Sequence, residues 1–212
     1  MKLTKFAHAC VLAEDEQHTA LFDPGEFAWG SGKLSLTSLP KLDYVLITHE
    51  HFDHFSEPFV KAIHARFPDV MFFSTQSVVA TLKGWGIEKA LSLSHENVEL
   101  QSLNHESMEP LSPAPQVQNV AIHYKDIISH PGDSHHLTKS HDVLFLPVSG
   151  PWGATIDAIR MAVKLKPKTI VPVHDWMWND QWRATMFDRM EAFFAESEIR
   201  FVKPVIGEPF EV

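Results

Sequence analysis

The stretch Tyr44-Val45-Leu46-Ile47-Thr48-His49-Glu50-His51-Phe52-Asp53-His54 changes character at its midpoint. Its first half is an apolar, β-branched run of strand length. Its second half puts three histidines and an aspartate into six residues. Side chains two apart on an extended backbone share a face, so His49 and His51 can address one cation together. Asp53 and His54 follow where the chain turns and can address a second. Imidazole and carboxylate donors suit zinc, manganese or iron. By chance such a hexapeptide arises in about a few of a thousand chains this rich in histidine. The competing reading is a solvated, histidine-rich loop.

The same layout recurs further along. The apolar run 98–103 leads into Asn104-His105, and 127–129 into His130-Pro131-Gly132-Asp133. The run 169–173 leads into His174-Asp175. Loops at strand ends, held by a rigid sheet, are where chemistry is usually placed. Asp133 falls in a Gly-Asp-Ser turn, and a carboxylate with two oxygens can bridge two cations.

Strand signals occur at 20–23, 44–48, 70–74, 98–103, 120–124, 126–130, 143–148, 169–173 and 200–202. Helical spacing of apolar residues marks 57–67, 77–84, 154–165 and 180–194. The stripes of the last two are Ile156, Ile159 and Val163, and Trp182, Met186, Met190 and Phe193. Strands dominate early and alternate with helices late, which predicts an α/β protein with sheet sandwiched between helices. No repeat divides the chain, and 1–212 reads as a single domain. The segment 109–115, with three prolines, separates two lobes or forms a surface loop.

Taken in order, the 49–54 segment, a mid-chain histidine, the Gly-Asp-Ser turn and a late histidine after a buried strand resemble the metallo-β-lactamase superfamily. Leu21-Phe22-Asp23-Pro24-Gly25 matches that superfamily's first motif, an Asp closing an early strand. Within it, the compact size and Phe145-Leu146-Pro147-Val148-Ser149-Gly150 are most similar to the small, ascorbate-6-phosphate-lactonase-like metal-dependent hydrolases. The resemblance implies an αββα sandwich of two mixed sheets flanked by helices. It implies a centre with His49, His51 and His105 on one ion, Asp53, His54 and His174 on the other, and Asp133 bridging. His95 and His123 are alternatives to His105, although His123 reads better as a sheet residue. The oxygen-reducing diiron branch carries Glu where this chain has His51, which points away from redox chemistry. Glu50 faces the opposite side of the strand.

The chemistry implied is hydrolysis of a small ester, lactone or phosphoester by a metal-bound hydroxide shared by two divalent ions, zinc or alternatively manganese. Asp53 would both ligate and orient that hydroxide, and Asp133 would join the ions. Asp23 would hold a ligand histidine by a hydrogen bond, or be a plain turn residue. His8 lies on the first strand, facing the cleft, the core or the surface. Asp175 supports its neighbour His174 or is solvated. Phe27, Trp29, Trp152, Trp176 and Trp178 follow site strands and either wall a pocket or pack in the core.

A formal net charge of −9 repels nucleic acid and anionic membranes, and Lys164, Lys166 and Lys168 read as a solvated helix end. A small-molecule substrate is expected, with neither nucleic acid nor membrane as partner. A nucleic-acid-cleaving phosphodiesterase of the same superfamily and a non-catalytic metal-binding scaffold are the alternatives. Cys10 is the only cysteine, as in a reducing compartment. The N-terminus lacks an apolar signal core, and no apolar run approaches the roughly 20 residues of a membrane span. A cytoplasmic location is the expectation.

Overall fold

The computed structural model describes residues 1–112 and 116–212. In chain order its strands begin with β1 (Lys2–Ala7), β2 (Cys10–Glu14), β3 (Thr19–Phe22), β4 (Tyr44–Leu46), β5 (Met71–Phe73) and β6 (Ala90–Leu91). They continue with β7 (Val98–Ser102), β8 (Val120–Tyr124), β9 (Ile128–His130), β10 (Val143–Pro147), β11 (Thr169–Val173), β12 (Arg200–Phe201) and β13 (Pro209–Glu211). The helices are α1 (Glu26–Gly30), α2 (Glu57–Arg66), α3 (Gln76–Gly84), α4 (Thr155–Leu165) and α5 (Asp180–Ala195).

Two mixed sheets result, in the orders β13-β1-β2-β3-β4-β5-β6 and β12-β11-β10-β9-β8-β7. In the first, β3 to β6 run parallel and β13 to β3 antiparallel. In the second, β9 to β12 are parallel, while β7, β8 and β9 are antiparallel. Between the sheets lies a core that includes Leu3, Phe22, Leu46, Phe73, Tyr124, Phe145 and Val173. The outer face of the first sheet packs on Ala28, Phe59, Ile63, Val78 and Leu82 from α1, α2 and α3. That of the second packs on Ala158, Met161, Phe187, Met190 and Phe194 from α4 and α5. The four layers are those of an αββα sandwich, with apolar burial on both faces of each sheet as its main support.

Three readings need correction. The buried face of α4 runs through Ala158, Met161 and Ala162, and that of α5 through Phe187, Met190 and Phe194. Ile156, Val163, Trp182 and Phe193 are exposed. Both helices carry apolar residues on more than one side, so spacing alone leaves their rotation open and the sheet selects the face that fits. Phe27 and Trp29 belong to α1 and not to a loop. His8 sits past the end of β1, in the turn that pairs Ala7 with Cys10. Of the proline-rich segment, 113–115 lie outside the described residues. Its flanking strands, β7 and β8, are antiparallel neighbours, so it connects strands within one sheet.

The two sheets meet at one end. His49 forms a β-bridge with Asn119, and the Val120 N–H donates to Thr48 O at 3.0 Å. Two glycines make room there. A Cβ on Gly25 would stand 1.7 Å from Asp53 O, and one on Gly132 would stand 2.1 Å from Asn119 Oδ1. Gly132 also has φ +64°, where only glycine sits without cost. Gly25→Ala must displace the Asp53–His54 backbone and is expected to destabilise the fold by about 1–3 kcal/mol. Gly84→Ala, with nothing within 4 Å of the added methyl, is expected to be neutral or stabilising by up to about 1 kcal/mol. Denaturant midpoints of the two variants check the contrast.

Candidate metal centre

The site is assembled at the carboxyl ends of the parallel strands, where open α/β sheets place their ligands. β3 delivers Asp23, β4 delivers Thr48 and His49, and β11 delivers His174. β9 delivers His130 and, through the following turn, Asp133. The chain leaving β7 brings His105. The 49–54 segment folds back after His51, whose carbonyl accepts from the N–H groups of His54 and Phe55 at 2.9 and 2.8 Å. The segment after Asp23 braces that turn: Glu26 N–H donates to Phe52 O, and Ser56 N–H to Pro24 O.

Two groups of donor atoms emerge among the described residues, each with all members within 4.8 Å of one another: His49, His51, His105 and Asp133, and His8, Asp53, His54 and His174. His49 Nε2 lies 3.1 Å from His51 Nδ1. Asp133 reaches both groups. Its Oδ2 lies 3.7 Å from His49 Nε2, 3.5 Å from His105 Nε2 and 3.2 Å from His174 Nε2, and its Oδ1 lies 3.2 Å from His54 Nε2. The structure thus brings together all seven residues for which the resemblance implied ligand roles. His8 joins them with Nε2 3.1 Å from Asp53 Oδ2.

Hydrogen bonds on the outer side aim the inner nitrogens. A carboxylate or carbonyl oxygen only accepts, so an imidazole nitrogen facing one carries the proton. His54 Nδ1–H donates to Asp23 Oδ2 at 2.8 Å, His105 Nδ1–H to Glu106 O at 2.6 Å, and His174 Nδ1–H to Ser149 O. Thr48 Oγ1–H donates to Asp23 and leaves its oxygen to accept from His49 Nδ1. Each of these rings therefore turns its Nε2 inward. Among the described residues, the buried Nε2 atoms of His54, His105 and His174 and the buried Oδ1 of Asp133 have no hydrogen-bond partner. Converging donors of this kind fit divalent cations, which would take the place of any proton on the inward nitrogens: several imidazoles, two carboxylates, and their supporting hydrogen bonds already made.

The charge pattern agrees. Burial alone would raise the Asp133 carboxyl, but His174, His54 and His49 hold it well below the usual carboxylate range. Burial likewise opposes ionisation of Asp23 and Asp53; His54 and His130 overcome it at Asp23, and His8 and His54 at Asp53. Burial disfavours charge on His54 too, yet Asp133 and Asp23 on either side push its pKa well above the ordinary value. The pocket calls for positive charge between those carboxylates. Burial, reinforced by His174, pushes the His8 imidazole down to about 4.

The other sequence candidates separate cleanly. His95 closes a tight turn with Val98, and His123 bonds Ser129 and Gln101 within the second sheet; neither is in a donor group. Asp23 is fully buried and accepts from His54, from His130 Nε2 at 2.7 Å and from Thr48 N–H at 2.8 Å. Asp175 is neither solvated nor turned to the donors. It pairs with Lys5 Nζ at 2.6 Å and Arg183 Nε at 3.0 Å. Phe27 and Trp176 stack beside His8, their centroids 5.1 Å apart. Trp152 lies edge-on to His105 and His174. Trp29 instead stacks on Phe59, and Trp178 meets Phe187.

The roles of three supporting residues escaped the sequence reading. His130 ends β9 and holds Asp23 from the second sheet. Asn119 ties Leu103 O to Pro131 O, and so the approach to His105 to the turn before Asp133. Lys5, fully buried, also donates to Pro172 O at 2.8 Å. Of the three, His130 had a signal, as a metal-capable residue at the end of an apolar run.

A family model described as "Beta-lactamase superfamily domain" matches residues 2–174. Protein Rv0786c of Mycobacterium tuberculosis is 27% identical over 200 residues, covering 90% of this chain and 91% of that protein. Igni18, a metallo hydrolase from the archaeon Ignicoccus hospitalis, superposes with a TM-score of 0.71 at 20% identity, covering 100% of this chain and 98% of its own. The isothiocyanate hydrolase from Delia radicum gut bacteria gives 0.68 at 20% identity, covering 100% and 99%. These two solved structures share the fold.

Asp23→Asn keeps the side chain's shape and tolerates the left-handed backbone of this position, φ +40°. It removes the charge that orients two imidazoles. Zinc affinity is expected to fall about 10–100-fold with the fold retained, as read by competition with a chromophoric chelator. An affinity within twofold of wild type would show that Asp23 does not orient the ligands.

Proposed function

The chain belongs to the β-lactamase superfamily domain family, and from that premise we propose that it is a metal-dependent hydrolase acting on a small ester, lactone or phosphoester. The proposal includes a centre for two divalent cations, with zinc the first choice and manganese the second. The observation that carries it is the convergence of buried donors without partners: Nε2 of His54, His105 and His174, and Oδ1 of Asp133. Left alone, each such atom costs about 1–3 kcal/mol. Cations between the two groups would satisfy all four.

His49, His51 and His105 would hold one ion, Asp53, His54 and His174 the other, and Asp133 both. Bound there, the ions would supply an activated water and an electrophile for the oxygen that gathers charge. Asp53 is suited to orient that water. Its side chain is 15% exposed, against 2% for Asp133, so it is the donor carboxylate that solvent reaches. Asp133 is suited to hold the two halves at a set spacing. Phe27, Trp152 and Trp176 offer apolar walls for the unreacting part of a substrate. Beside Trp152 a cavity of about 570 Å³, lined also by Glu106, His135 and Arg160, has the size of a small-molecule pocket.

The net charge of −9 weighs against a nucleic-acid substrate. Among the described residues no helix is long and apolar enough to cross a membrane. A single buried thiol, Cys10, accords with the reducing cytoplasm we favour as its location.

Elemental analysis of protein expressed without added metal is expected to find two equivalents of a divalent ion, with less in His54→Ala and Asp133→Ala. If neither substitution lowers the metal content, the centre is wrong as drawn. Turnover is expected on some member of a panel of esters, lactones and phosphoesters, and Asp53→Asn should reduce kcat/KM about 10²–10⁴-fold. Full metal content with no turnover on that panel would favour a binding scaffold, and cleavage of single-stranded RNA the phosphodiesterase.

A further inference from the structure

We propose that His8 is itself a donor to the second cation, so that this site is built from His8, Asp53, His54, His174 and the shared Asp133. The inference rests on the two-cation reading above and adds a residue to it. It makes the two sites unequal, since the first has His49, His51, His105 and the shared Asp133.

Geometry is the first argument. From Asp53 Oδ2 the distances are 3.1 Å to His8 Nε2, 3.7 Å to His174 Nε2 and 3.9 Å to His54 Nε2. Donors that each stand 2.0–2.2 Å from one zinc ion lie roughly 3–4 Å apart. His8 is spaced as the two histidines already proposed for this ion are, and is nearer. Its ring packs against His174 with centroids 3.9 Å apart and stands edge-on to His54 at 5.5 Å, so the three imidazoles surround one point.

The backbone supplies an independent argument. His8 follows β1 in the turn to β2 with φ +53°, a left-handed conformation uncommon outside glycine, although histidine enters it more often than most side chains. Its carbonyl accepts from the N–H of His174 at 3.3 Å, and His174 also has a left-handed backbone, φ +60°. Two strained residues, hydrogen-bonded to each other, thus present their rings to the same space. Strain of this kind persists where the side chain is needed in place. A tight turn alone would be met by glycine without the strain.

Without a cation His8 Nε2–H donates to Asp53 and, among the described residues, its buried Nδ1 has no partner; ligation through Nε2 would move the proton to Nδ1, and a hydrogen bond that only positions Asp53 is the rival role. The two separate on substitution with cobalt(II). In the wild-type dicobalt protein, proton NMR should reveal six strongly shifted, exchangeable imidazole N–H signals, one each from His8, His49, His51, His54, His105 and His174. Two bound ions with five signals would overturn the role of His8 alone. Fewer than two ions would overturn the two-cation reading and His8's role with it. His8→Asn keeps the backbone preference, and His8→Gln keeps a hydrogen-bond donor for Asp53. Both are expected to lose one signal and to bind the first cobalt equivalent about 100-fold more weakly, because the richer site fills first. A His8→Gln protein with wild-type affinity and cobalt spectrum would reduce His8 to positioning Asp53. The wild-type signal count stands even if a variant fails to fold.

Discussion

A single buried carboxylate ties the two sheets together at the site. Asp23 leaves β3 in the first sheet and accepts from Thr48 past β4, from His54 in the following turn and from His130 at the end of β9 in the second. An ionised carboxylate with no solvent exposure is tolerated only when its lone pairs are filled and opposite charge lies close. Meeting that requirement brings three segments from two sheets to one point. It also sets the protonated face of His54 and, through Thr48, that of His49, so the inward nitrogens are free to bind a cation. The same contact that closes the sandwich prepares the centre.

Strain and close approach surround that point. His8, Asp23 and His174 all have left-handed backbones without being glycine, and each stands where a strand end must turn its side chain inward. Gly25 and Gly132 let neighbouring segments approach closer than any Cβ permits. The cost of these features is met by the apolar layers on both faces of each sheet. Further out, buried Lys5 and Asp175 with half-buried Arg183 anchor the chain just beyond His174 to β1 and α5. Removing one member would leave a buried charge without its partner, so this set specifies where the His174 turn lies more than it adds to stability.

Much of the site was legible because its residues sit at strand ends, where an apolar run stops and metal-capable side chains begin. His49, His51, Asp53 and His54 were readable from local geometry alone: alternation along a strand, then a turn. His105 and His174 gained meaning only through order along the chain and resemblance to a family. Asn119 looked like an ordinary residue and His130 was marked only by its place at a strand end; their roles come from partners about 10 to 100 positions away in sequence, such as Asp23 for His130. Helix rotation was illegible for a different reason. In α4 and α5 more than one face carries apolar residues, and only contact with the second sheet chooses Met161 over Val163 and Phe194 over Phe193.

By itself the sequence determined the types of donor, the elements that carry them and the layered class of fold, because periodicity and turn chemistry act over a few residues. Tertiary structure alone decided which donors share a site, which nitrogen of each ring faces inward, and that His8, in a hairpin turn remote from the 49–54 segment, lies against Asp53. Those outcomes depend on the register and approach of two sheets, and no local stretch of sequence encodes a distance between segments that meet only after both sheets have packed.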